Sequence, residues 1–182
     1  MNRYLLIFLF LASTLTASDG NRLYELYQNG QYLQACNEGV KKLGQHQQDE
    51  KYISLYAFSC LQADKIDRLA LPIIMLKNSN EARKNAAYFA SILLQKNLLI
   101  SALENQQPLD ALNLPTTDYV LSRVFDLFST GRYTLGNGVY SLSDPKLPRQ
   151  TYRMYLNRSD NSVALIIDEY YDTILTKQHL YR

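Results

Sequence analysis

The chain of 182 residues has no tryptophan, only two cysteines and only two histidines. Two Cys and two His do not by themselves furnish a four-ligand zinc site of the usual spacing. The thiols, Cys36 and Cys60, are too far apart for a C-x-x-C redox pair. Neither sign of charge dominates: 19 Lys+Arg stand against 17 Asp+Glu, a net of +2. That balance excludes the basic footprint of a nucleic-acid binder. The serines have no G-x-S-x-G or S-x-x-K context. Gly136-Asn137-Gly138 lacks the downstream helix and the lysine of a phosphate loop. No cofactor or metal is expected. What the chain does have is 47% apolar and 20% charged residues, which excludes general disorder and suits one or two small domains.

The start of the chain reads as an address. Arg3 is followed by the apolar run Tyr4 to Ala12, then by small and polar residues ending at Ala17. A short basic start, a short apolar stretch and a small-residue exit make a secretory signal peptide, here residues 1–17. The run is shorter than the roughly 20 residues that span a bilayer. No later apolar stretch approaches that length, so no stable membrane insertion is expected after the signal is removed. The expected location is the periplasm.

A recurrence of about 34 residues organises the next part. Four segments align: Gln28-Asn29-Gly30-Gln31-Tyr32, Gln62-Ala63-Asp64-Lys65-Ile66, Gln95-Lys96-Asn97-Leu98-Leu99 and Ser129-Thr130-Gly131-Arg132-Tyr133. Their third residues are Gly, Asp, Asn and Gly, the types that tolerate a left-handed backbone at a helix end. Apolar residues spaced for one helix face precede each turn. Examples are Leu23, Leu26 and Tyr27, and then Ile53, Tyr56, Ala57 and Cys60. Pro115-Thr116-Thr117-Asp118 is a start signal for the last of these helices.

The segment from Tyr27 to Ala35, with Gly30, Tyr32 and Ala35, resembles the turn signature of the tetratricopeptide repeat. Ala57 and Ala90 fall where that family places a small residue in its first helix; Leu23 and Val124 depart from it. The resemblance covers about residues 20–131. It implies an α-solenoid of helical hairpins, with Pro72 kinking or breaking the second helix of unit two and Pro108 shortening that of unit three. In such an array Cys36 and Cys60 lie on neighbouring helices. They are either bridged, worth about 3 kcal/mol, or two buried thiols. The family's concave face, carried over by alignment, is Tyr24, Tyr27 and Gln28, then Lys51, Ser54, Phe58, Leu61 and Gln62, then Lys84, Ala87, Ser91, Leu94 and Gln95. Such a face implies a peptide or a helix of another envelope protein as partner.

After Gly131 the pattern changes. Gly136-Asn137-Gly138 suits a hairpin turn, Thr151 to Leu156 alternates as a strand, and Val163 to Ile167 reads as a buried strand. Residues 170–181 fit a helix face or a strand, the strand being favoured. The expected fold is therefore α+β: a tetratricopeptide-like α-α superhelical array over 18–131, then a small antiparallel β-sheet of three to five strands over 132–182. That sheet must pack on the last helices, being too small to stand alone.

The remaining polar residues suggest less. His46 in its Gln-rich stretch and His179 near Lys177 and Arg182 read as solvated. Asp168, Glu169 and Asp172 form the densest acidic cluster, yet adjacent strand residues face opposite ways, a poor basis for paired-carboxylate chemistry. The expectation is a non-catalytic interaction or assembly factor. A subunit pairing through its sheet edge is the alternative, and a cell-wall hydrolase a more distant one.

Overall fold

Helices that stop at left-handed residues set the architecture. The structure, a computed structural model, describes residues 19–109, 112–159 and 162–182; the expected signal peptide lies outside the described residues. Helix α1 (Asp19–Gln28) is followed by α2 (Tyr32–Lys42), α3 (Glu50–Gln62), a short α4 (Ala70–Met75), a long α5 (Asn80–Asn105) and α6 (Val120–Ser129). Gly30, Asp64 and Gly131 all have positive φ. Each is bracketed by the same pair of hydrogen bonds. Gly30 N–H donates to Tyr27 O while Gln31 N–H donates to Leu26 O; Asp64 with Lys65 and Gly131 with Arg132 repeat the arrangement. This is the Schellman closure, which satisfies the orphaned carbonyls of a helix end.

The third expected turn is absent. Asn97 lies inside α5, which runs unbroken for 26 residues. The buried residues Phe89, Ile92, Lys96, Leu99 and Leu103 continue one stripe at spacings of three and four through the expected break. The chain therefore has two helical hairpins and a single long helix, not a third hairpin. Pro72 acts as expected. The second helix of unit two is reduced to a 3-10 turn over Ile66–Leu69 and the six residues of α4. Pro72 sits in the first turn of α4, where a missing N–H is least costly. α5 ends ahead of Pro108.

The C-terminal part is a five-stranded antiparallel meander in the order β1-β2-β3-β4-β5. Its strands are β1 (Tyr133–Gly136), β2 (Val139–Ser143), β3 (Gln150–Ser159), β4 (Ser162–Tyr171) and β5 (Ile174–Tyr181). Asn137 and Gly138, both at positive φ, make the two-residue turn between β1 and β2. The strand reading of residues 170–181 holds, with a turn at Asp172 that Arg149 pairs from across the sheet. One face of the sheet, carrying Tyr152, Met154, Leu165 and Ile167, joins a core that runs without interruption from Leu23 to Tyr181.

α5 is long and apolar enough to cross a membrane by length and composition, the one such helix among the described residues. Gln95 and Lys96 at its middle are buried on protein partners. The Gln95 amide donates to Pro115 O, and the Lys96 ammonium bonds Asp67 and the main-chain oxygen of Arg182. These contacts are those of a core helix.

Cys36 and Cys60 are bonded, tying α2 to α3, and both are fully buried. Disulfides persist in oxidising compartments, so the bond is consistent with an extracytoplasmic setting. The same two helices meet closely at Gly39, where an added Cβ would lie 2.6 Å from Cδ2 of Tyr56. Gly39→Ala is therefore expected to lower the unfolding free energy by about 1–3 kcal/mol in urea titrations. Reducing the disulfide should cost about 3 kcal/mol in the same titration; an unchanged midpoint in either case would contradict this packing.

Candidate functional site

The α3–α5 contacts advance together along both helices. Glu50 meets Asn78 and Ser79, Ser54 meets Asn85, and Phe58 meets Phe89, so α3 and α5 lie parallel. Between their first halves is an open groove of about 790 Å³. Its mouth is rigid. Asp49 caps α3 by accepting from Lys51 N–H and Tyr52 N–H at 3.1 Å, and Ser79 caps α5 by accepting from Ala82 N–H at 3.0 Å. The Asn78 and Ser79 N–H groups donate to Glu50, at 2.7 and 3.1 Å, and hold its carboxyl below the usual carboxylate range. Asn85 donates to Ser54 Oγ at 3.1 Å across the floor.

The apolar wall is aromatic. Phe58 packs edge-on against Phe89 at 4.8 Å and tilted against Tyr88 at 6.1 Å. Tyr27, half-buried against Tyr32, lies within electrostatic reach of Tyr88. Burial and the bond from Tyr88 Oη to Asp118, 2.7 Å, keep that phenol firmly protonated.

The groove does not run the length of the helices. Beyond Phe58 the segment before α6, together with β4 and β5, closes over α3, leaving a small cleft of about 240 Å³ lined by Gln62, Tyr88, Asp118, Glu169, Lys177 and His179. The closure centres on Asp64. Its carboxylate faces His179 Nδ1 at 2.9 and 3.0 Å and accepts from the Tyr119 hydroxyl at 2.6 Å. The Tyr181 hydroxyl donates in turn to Tyr119 Oη at 3.3 Å, and the His179 ring stacks on that of Tyr181. Burial, first, and then the Asp64 charge push Tyr119 well above the ordinary tyrosine range, so it remains a donor. Burial lowers His179, but its bond to Asp64 and the Glu169 carboxylate nearby outweigh that and leave it raised.

Of the residues expected on a concave face, Lys51, Ser54 and Phe58 line the groove. Leu61 is sealed in the core. Gln95 is buried too, on Pro115. Gln62 belongs to the closed end. Tyr24 and Gln28 are exposed on α1, outside the groove. On α5 the groove residues are Glu81, Ala82 and Asn85, with Tyr88 next along. Lys84, Ala87, Ser91 and Leu94 lie on the adjoining face. Each residue turns a helix by about 100°, so an alignment one position off presents a different face.

His179 is not solvated: it is 3% exposed. His46 keeps partial contact with solvent and stacks on Tyr52 at 4.0 Å. The parity of β5 could have located His179, since it shares a strand face with Tyr181. The three carboxylates of the acidic cluster point to separate surroundings. Asp168 accepts from Gln178 at 2.8 Å, Glu169 faces His179, and Asp172 pairs with Arg149. Among the described residues no group of three or more acidic, His or Cys residues could hold a metal ion.

Comparisons with protein-family models, with curated proteins and with solved structures find no match for this chain. Asp64→Asn keeps a residue type that accepts the left-handed backbone but removes the charge facing His179. It should lower the unfolding free energy by about 1–3 kcal/mol, measured by urea denaturation at pH 6. A loss within experimental error would show that Asp64 serves only as a helix stop.

Proposed function

We propose that this chain is a non-catalytic interaction protein of an extracytoplasmic compartment, the periplasm on the reading of its first 17 residues. Its tetratricopeptide-like hairpins hold an extended peptide or a helix of an envelope partner in the groove between α3 and α5. The observation that carries this reading is the groove itself, open and lined by Leu55 and Phe58, the latter packed on Tyr88, over a hydrogen-bonded floor. Aromatic anchors beside fixed polar groups are the usual means by which a surface holds another polypeptide. The caps of α3 and α5 keep the walls in place before any partner arrives, which lowers the ordering cost of binding.

A second reading, assembly through the sheet edge, is favoured by β5. It is an edge strand, and its first residues expose Ile174 and Leu175. Such an edge can pair with a strand of another chain.

Peptides selected from a random library on the whole protein separate the two. Ser54→Arg fills the groove with a long side chain and spares the core; it should weaken the selected peptides at least tenfold, as should Phe58→Ala. Ile174→Asp should leave them unaffected. Binding that survives Ser54→Arg and is lost in Ile174→Asp would overturn the groove and favour the edge.

A further inference from the structure

His179 on β5 meets the end of α3 at Asp64. One ring nitrogen faces Asp64, at the end of α3; the other, Nε2, is buried without a hydrogen-bond partner and lies 3.9 Å from Glu169 Oε2 on β4. A neutral imidazole that donates from Nδ1 leaves a lone pair buried at Nε2 with no donor to meet it. An imidazolium presents an N–H to a carboxylate on each side, and a shift of less than 1 Å brings Glu169 into hydrogen-bond range. A buried polar atom without a partner is costly, so the doubly protonated ring is the form this geometry suits.

The other groups around it do not supply a competing solution. The phenols of Tyr119 and Tyr181 stay neutral, burial being the main cause for both. Across the cleft, Asp118 is engaged by the Tyr88 hydroxyl. Lys177 on β5 is the cation that opposes the charge, and its effect is the smallest of those acting on His179.

We propose that His179 is a proton-operated clamp that fastens the C-terminal sheet to the helical hairpins, tight when the ring carries both protons and slack when it loses one. The direction of the effect follows from linkage. In the unfolded chain a histidine titrates near 6.5, and in the folded chain this one titrates higher. The clamp therefore contributes fully below about pH 6.5 and is lost as pH rises through the folded value. A compartment whose acidity varies would thus change how firmly the closed end of the groove is held. The clamp itself stands whether or not the groove binds a peptide.

Hydrogen exchange of the whole protein, followed over β5 and the segment before α6, tests it. After correction for intrinsic exchange, protection of these amides should fall several-fold between pH 5.5 and pH 8.5, while α2 and the first half of α3 keep theirs. His179→Gln should remove that pH dependence, and Glu169→Gln should reduce it. Because His179→Gln could fail to fold, the wild-type ring is also followed by nitrogen-15 NMR. The expected result is titration above 6.5, with both nitrogens protonated below the midpoint. Equal protection at both pH values, a pH dependence that survives in His179→Gln, or a ring that titrates at or below 6.5 would each overturn the clamp.

Discussion

A left-handed residue at the end of a helix closes two main-chain hydrogen bonds and sends the chain back along its own path. At Gly30 and Gly131 that is all it does. At Asp64 the same backbone also aims a carboxylate at the sheet, where His179 and Tyr119 meet it. A non-glycine residue at positive φ carries a steric cost that glycine does not. Here that cost is offset by two charge-assisted hydrogen bonds, the stronger class. The contact ties the end of α3 to β5 and to the residue that opens α6, where the groove closes, beside the apolar core that seats the sheet.

The parts of the fold that were legible in the sequence are those decided by local chemistry. Gly30, Asp64 and Gly131 announce turns because few residue types tolerate that backbone. Asn137-Gly138 announces a hairpin for the same reason. Asn97 was misleading because tolerance is not requirement: asparagine is also acceptable within a helix, and nothing beside it breaks one. Lys96, next to it, has its ammonium buried on Asp67 and Arg182, and the apolar stripe passes through it. That pairing joins residues far apart in sequence, and no spacing rule encodes it. The presence of Asp where glycine stands at two sister turns was the one local hint that its carboxylate was needed.

The groove shows the same division. On α3, Lys51, Ser54 and Phe58 of the expected face line the groove, while Leu61 lies in the core and Gln62 at the closed end. On α5 the aligned residues Lys84, Ala87, Ser91 and Leu94 fall on the face beside the one that lines the groove. Three acidic residues, Asp49, Glu50 and Glu81, line the groove against one lysine, Lys51. The groove offers aromatic surface and a surplus of negative charge.

α5 serves both halves of the molecule. About 39 Å long, it lies against α3 and α4 and also touches β3 and β4, while its neighbour α6 meets β2. Because side chains on a helix share one phase, a single residue inserted near Leu93 would rotate everything beyond it by about 100°. The hairpins or the sheet would keep their seat on the helix, but not both. Residues 106–109, beyond the helix end, impose no such phase, so change in chain length during divergence is expected to collect there and to spare the helix.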